Sequence, residues 1–154
     1  MSMELIVTYK GEERALQVDD DAIIVFPNGL IGFMEWRRFV LLEDPEESPV
    51  AVLQSIDDAN VSFLVTDPWC VAPDYKLELS AEDIKEINLE RVEDAKVLCT
   101  LAAREGRVLV TANLLGPIVI NPKARLARQV ILQDSQYSAQ HPVLTVDGKE
   151  RSGS

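Results

Sequence analysis

Residues 50–66 read Val-Ala-Val-Leu-Gln-Ser-Ile-Asp-Asp-Ala-Asn-Val-Ser-Phe-Leu-Val-Thr, which is two short apolar segments on either side of a polar turn. Asp and Asn favour such turns because their side chains hydrogen-bond the local main chain and because they tolerate left-handed torsion angles. A short apolar run bounded by turn residues is typical of a buried strand. The stretch therefore predicts a β-hairpin with strands at 50–56 and 61–66.

The same pattern recurs along the rest of the chain. Short apolar or alternating segments, separated by residues that favour turns, predict further strands at 4–9, 14–18, 22–26, 39–42, 96–104, 107–113, 117–121 and 125–132. Proline-containing loops such as 43–49 and Asp67-Pro68 interrupt the strands, because Pro has no N–H to donate to a sheet. A sheet closed on itself best accommodates so many short strands, since closure removes unpaired edges. We expect a mainly β fold: a small antiparallel β-barrel-like single domain.

Only one helix is well indicated. Ser80 can cap its first turn, Asp83 stands three residues later in the capping-box position, and Ile84 and Ile87 share one face. We therefore expect one short helix that begins near Ser80.

The length of 154 residues fits one domain, which we place at 1–141. After residue 141 the sequence turns polar, so we expect a flexible tail at 142–154. No apolar run approaches the roughly 20 residues that a membrane-spanning helix needs, and the first ten residues lack a basic segment followed by an apolar core. We therefore expect a cytoplasmic protein, in which Cys70 and Cys99 are buried thiols rather than a disulfide.

The net charge of −11 is unevenly distributed. Residues 1–94 carry a net charge of −15, and residues 95–154 a net charge of +4. The acidic part would repel a phosphate backbone, so we expect no direct binding to nucleic acid. Such a field attracts a basic protein and speeds its association, although surplus acid can also serve solubility alone.

The sequence contains no recognisable catalytic or ligand-binding motif. His141 is the only histidine, and no nucleophile motif accompanies it. The Gly29–Gly32 pair lacks the other residues of a phosphate-binding loop, and Asp19-Asp20-Asp21 lacks the spacing of a calcium loop. We therefore expect no enzyme activity, no cofactor and no bound metal.

The string Phe26-Pro-Asn-Gly-Leu-Ile-Gly-Phe33 places two glycines among apolar residues, which predicts a tight, partly buried chain reversal. Here the sequence resembles the FliW family of bacterial flagellar assembly factors, whose signature is Phe-x-x-Gly-(Leu/Ile)-Pro-Gly-Phe. Three further stretches match in order: 53–56 leading to 63–68, then 111–121, then 129–137. The resemblance covers roughly residues 3–141. Two departures are Ile31, where the family usually has proline, and Gly116, where it often has alanine.

The resemblance implies a non-enzymatic protein with two protein partners, flagellin and the RNA-binding regulator CsrA. A member freed from flagellin binds CsrA, which then stops repressing flagellin translation. The antagonism could be competition for the RNA site or a coupled effect from a separate site, and the resemblance favours the second. It implies no membrane partner, and we expect a monomer when the protein is free.

Two alternatives remain. One is a flagellin chaperone with no role in translation, and the other is a small-molecule-binding or hydrolytic β-barrel, which would need a pocket with converging polar groups.

Candidate partner-binding residues follow from the motifs and the charge. The acidic ones are expected to recruit a basic partner, and loops on a rigid sheet often carry function. For the aromatic and Leu positions the alternative is a place in the core, and for the two Asn positions it is hydrogen bonding to main chain at strand ends. The full set is Phe26, Gly29, Leu30, Gly32, Phe33, Glu46, Glu47, Gln54, Asp57, Asp58, Asn113 and Asn121.

Overall fold

The computed structural model describes residues 2–9, 12–103, 109–133 and 136–145. Within them, two short α-helices accompany eleven strands. The helices are α1 (Pro68–Val71) and α2 (Ala81–Glu86). The strands are β1 (Ser2–Tyr9), β2 (Glu12–Asp19), β3 (Ile24–Val25), β4 (Arg38–Glu43), β5 (Ala51–Ser55), β6 (Ser62–Thr66), β7 (Lys96–Ala103), β8 (Leu109–Ala112), β9 (Ile118–Asn121), β10 (Leu126–Gln129) and β11 (His141–Thr145).

Seven strands close into a barrel. The main sheet runs β11-β8-β7-β6-β5-β4-β3-β10-β9, and β9 also pairs with β7, so the ring consists of β3 to β7, β9 and β10. The expected mainly β, barrel-like fold is confirmed. One pairing departs from the antiparallel expectation, because β3 and β10 run parallel and meet only at Val25 and Leu126. The residues of this pair are about a hundred positions apart, so no local turn sets their relative direction.

The barrel interior is filled by apolar side chains that alternate along the strands. Phe39 and Phe26 are fully buried and meet edge to face, with ring centroids 5.2 Å apart. The hairpin of β1 and β2 lies outside the ring and packs through Leu5, Val7 and Val18 onto the barrel. The predicted 50–66 hairpin forms as β5 and β6.

The helix expected near Ser80 is present as α2, with both hydrogen bonds of its capping box. The expectation of a single helix was wrong, because α1 follows Asp67, whose side chain accepts a hydrogen bond from the Trp69 N–H at 2.8 Å. Pro68 occupies the first turn, where a missing N–H costs nothing.

The two cysteines differ in environment. Cys70 lies on the exposed side of α1, so its expected burial was wrong. Cys99 is buried, and this burial raises the pKa of its thiol to about 11, which keeps it protonated and unreactive.

The end of the described chain is a strand. β11 pairs with β8, with an irregular register between Pro142 and Leu144, and Val143 packs against the cluster around Tyr75. Residues 142–145, which we expected to begin a flexible tail, therefore belong to a strand, whereas 146–154 lie outside the described residues, as does the Glu105-Gly106 loop. None of the helices in the described ranges is long and apolar enough to cross a membrane.

Candidate partner-binding surface

The glycine-containing loop between β3 and β4 is a rigid reversal. Gly29 and Gly32 have φ angles of +69° and +87°, in the region that favours glycine. Leu30 and Phe33 form an isolated bridge, with N–H to O distances of 3.3 Å and 2.8 Å. A third hydrogen bond joins the loop to β10, because the Gln129 Oε1 accepts from the Ile31 N–H at 3.0 Å.

This loop divides its side chains between the core and the surface. Phe26 and Leu30 are buried in the barrel core, where they stabilise the fold. Phe33 is 40% exposed and stacks on Trp36, with ring centroids 5.0 Å apart. Two further apolar side chains at the tip are more exposed, at 53% for Ile31 and 62% for Met34.

The acidic turn after β5 lies beside this loop, but its side chains bond inward. Gln54 is buried, and its Nε2 lies 3.1 Å from three main-chain oxygens of the turn. Asp58 accepts a hydrogen bond from the Asn60 N–H. Asp57 accepts from the N–H groups of Arg37 and Arg38 at 2.9 and 3.1 Å and pairs with the Arg38 Nε at 3.0 Å.

These contacts change the acidity of Asp57. Partial burial would by itself raise the pKa of Asp57, but the two main-chain hydrogen bonds and the Arg38 guanidinium more than offset burial and hold the pKa below its ordinary value. Folding is therefore stabilised by the charged form of this carboxylate.

We expect Asp57→Asn to lower the free energy of unfolding by about 1–2 kcal/mol at pH 7, because an amide cannot accept all three hydrogen bonds. A depressed pKa gives stability that is present above the unfolded-state value near 3.8 and is lost as the pH falls through the folded-state value. Urea unfolding should thus show the wild type and variant converging below about pH 4. Asp58→Asn is the control, since an amide oxygen can still accept from Asn60, and a gap that persists at low pH would contradict this account.

Glu46 and Glu47 lie elsewhere. They belong to a short 3-10 turn, Pro45–Glu47, between β4 and β5, and both are exposed. Since β4 and β5 pair from Phe39↔Ser55 to Glu43↔Ala51, this turn is at the opposite end of the hairpin from Asp57. The structure therefore does not bring the four acidic candidates together.

The two asparagine candidates bond main chain. Asn113 Oδ1 accepts from the N–H groups of Leu115 and Gly116 at 3.1 and 2.9 Å. Asn121 is buried, and its Nδ2 donates to the carbonyl oxygens of Ile87 and Asn88 at 2.8 and 3.0 Å. Asn121 thereby holds the end of α2 against the β9–β10 turn.

A groove of about 990 Å³ opens beside the glycine-containing loop. Its three walls are residues between 28 and 34, residues between 76 and 86, and residues 127–133 with Gln136 and Tyr137. Four carboxylates and two cations line it, so its net charge is −2. Of the predicted site residues, only Gly29, Leu30 and Gly32 contribute to it.

An ion-pair network fixes two of these walls together. The Arg128 Nε lies 2.9 Å from Asp83 Oδ1, and its Nη1 lies 3.4 Å from Glu86 Oε1. Glu86 also accepts a hydrogen bond from Asn28, so it links α2 to the glycine-containing loop. Glu82 is 3.9 Å from the same guanidinium, but its side chain is 81% exposed, which leaves it accessible to a partner.

Sequence reasoning missed Arg128, Gln129 and the acidic side of α2. An Arg in a strand carries no local mark of an ion pair with a distant helix, and the Gln129–Ile31 contact joins residues 98 positions apart. The one available signal was Asp83, which the sequence indicated as part of the capping box of α2.

The described residues contain no group of three or more His, Cys, Asp or Glu side chains that could hold a metal ion. The fold and the groove thus define a small closed-barrel protein with an open acidic and apolar groove. The FliW protein family matches residues 8–144 of this chain.

Relatives and a solved structure agree with this match. The chain is 36% identical to the flagellar assembly factor FliW of Natranaerobius thermophilus over 98% of this chain and 99% of that protein. It is 39% identical to FliW of Bacillus licheniformis over 88% of this chain and 92% of that one. A crystal structure of a flagellar assembly factor FliW superposes with a TM-score of 0.82 at 29% identity, covering 92% of this chain and 96% of the other. The chain belongs to the FliW family.

Proposed function

We propose that this protein is a cytoplasmic flagellar assembly factor that binds flagellin and antagonises a CsrA-type RNA-binding regulator, thereby relieving repression of flagellin synthesis. The observation that carries the proposal is the family membership, which extends over nearly the whole chain. Each of the two partners would be bound through protein–protein contacts.

The charge of the molecule supports the second partner. A protein that binds RNA presents a basic surface, and a net charge of −11 complements such a surface. Glu46 and Glu47 are exposed carboxylates at one end of the β4–β5 hairpin, and Glu78 and Glu82 are exposed at the groove. Asp57 contributes less to this field, because Arg38 partly neutralises it.

We further propose that the regulator is bound outside its RNA site. Separate sites are coupled by a finite and reciprocal free energy, so the two ligands can occupy the regulator together. Direct competition would instead make them mutually exclusive.

A titration of labelled leader RNA and regulator with increasing amounts of this protein distinguishes the two mechanisms. We expect the apparent RNA affinity to fall to a plateau that does not depend on the RNA concentration, and we expect added flagellin to reverse the fall. A continuing fall in proportion to added protein would overturn the separate-site mechanism.

The titration also tests the role in translation. If RNA binding is unaffected at every concentration while flagellin still binds, the protein is a flagellin chaperone only. If neither partner binds, the proposed function is wrong.

A further inference from the structure

One edge of β10 and of the residues after it is exposed in the groove, beyond the point where the pairing with β3 ends. Along β10 and its continuation, even-numbered residues bond to the β9 side, as in Val130 N–H to Pro117 O at 2.9 Å and Leu132 N–H to Leu115 O at 3.0 Å. Odd-numbered residues face the other side, where the Val25 N–H bonds to Arg125 O at 2.9 Å.

As far as the structure describes the chain, the edge of β10 that faces β3 is unpaired beyond Leu126, because β3 is only two residues long. Beyond β3 the chain turns away into the glycine-containing loop, where the Ile31 N–H bonds to the side chain of Gln129 rather than to its main chain. Within the described ranges, the main-chain groups of Ile131 have no hydrogen-bond partner. In an extended chain the main-chain groups of successive residues point to opposite sides. Since Val130 and Leu132 bond to residues 115–117, the N–H and C=O of Ile131 point the other way, toward the groove.

A second extended segment faces the same groove. Leu77 and Leu79 turn their side chains toward the cluster around Val130, which leaves Glu78 exposed on the groove side. In the part of the chain that the structure describes, the main chain of 77–79 makes no hydrogen bond. The groove therefore lies between two stretches of main chain that can each accept and donate.

The side chains of the groove indicate what an occupant would carry. Ile31, Met34 and Ile131 are all exposed apolar side chains at its walls, and Ile131 is 46% exposed. Glu78 and Glu82 are exposed carboxylates on the facing wall. A complementary segment has apolar side chains on one face and Lys or Arg on the other, and a second copy of this acidic chain does not match it.

We propose that this groove binds an extended segment of another protein, in which apolar residues alternate with Lys or Arg, as an added strand on the edge at Ile131. Main-chain hydrogen bonds would supply affinity, and the alternating side chains would supply specificity. The rigid loop holds Ile31 and Met34 in place before binding, which lowers the entropic cost. This inference does not require flagellin or the regulator to be the occupant.

The probe is a fluorescent eight-residue peptide in which Lys alternates with Val and Ile, followed by anisotropy. We expect saturable binding to the wild type. Methylating alternate peptide nitrogens removes the donors on one edge but keeps every side chain, and it should weaken binding roughly tenfold. Ile131→Asn should weaken binding at least as much, because it removes an apolar contact without adding charge, whereas Val92→Asn, at a similarly exposed site outside the groove, should not change it.

Glu78→Gln combined with Glu82→Gln should weaken binding at low salt and flatten its salt dependence. Amide exchange should slow at 77–79 and 131 when the peptide is bound. Absence of peptide binding, or equal binding of the methylated peptide, would overturn the proposal. Failure of the wild type to bind flagellin or the regulator would instead count against the proposed function and leave the peptide result unaffected.

Discussion

Asn121→Asp is expected to lower the free energy of unfolding by roughly 3 kcal/mol or more, although it changes a single atom group. The buried amide donates to two carbonyl oxygens, and a carboxylate would place negative charge against both. For a domain of this size the loss lowers Tm by roughly 6–12 °C. Thermal unfolding followed by circular dichroism measures it.

Asn113→Asp is the matched control for this experiment. In the described part of the chain, the Asn113 side chain bonds through its Oδ1 alone, which accepts from two N–H groups, and a carboxylate accepts equally well. We expect a change within about 0.5 kcal/mol. Equal losses at the two positions would show that charge alone, and not the direction of the hydrogen bonds, decides the effect.

The low-pH behaviour gives a second check on Asn121→Asp. Burial disfavours the charged form of the introduced carboxyl, and the neutral form can donate one hydrogen bond to a carbonyl. Part of the lost stability should therefore return as the pH is lowered. A deficit that grows toward low pH would contradict this account.

Local patterns were sufficient to predict most of the barrel. The 50–66 hairpin is specified by two apolar runs and the turn between them, and the α2 capping box lies within four residues, Ser80 to Asp83. The hairpin and the capping box both depend on residues that are close in sequence, so the sequence alone indicates them.

The parts that were missed depend on distant neighbours or on very short elements. α1 is a single turn whose Asp-Pro start also fits a loop, and β11 begins at His141-Pro142, which reads as the end of a structured region. The parallel β3–β10 pair is set by barrel closure and has no local sequence mark.

The candidate site shows the same division. Sequence identified the acidic residues but not where their side chains point, and Asp57, Asp58 and Gln54 turn out to bond their own turn and the adjacent loop. The groove is assembled from three segments far apart in sequence, so it could not be recognised before the fold was known.

Gly29→Ala is expected to destabilise the protein by about 3 kcal/mol, because two costs add at this position. A left-handed φ of +69° is strained for alanine, and the new Cβ would lie 2.6 Å from both the Cα and the main-chain oxygen of Met34. Main-chain atoms cannot move aside without shifting the loop, so the exposed tip at Ile31 should shift with them.

Gly32→Ala is the control for this prediction. Its φ of +87° is also strained for alanine, but nothing lies within 4 Å of the new Cβ. We therefore expect a loss of about 1 kcal/mol in the free energy of unfolding. Urea unfolding of both variants separates lack of space from torsional strain, and equal losses would show that strain alone maintains the glycine at residue 29.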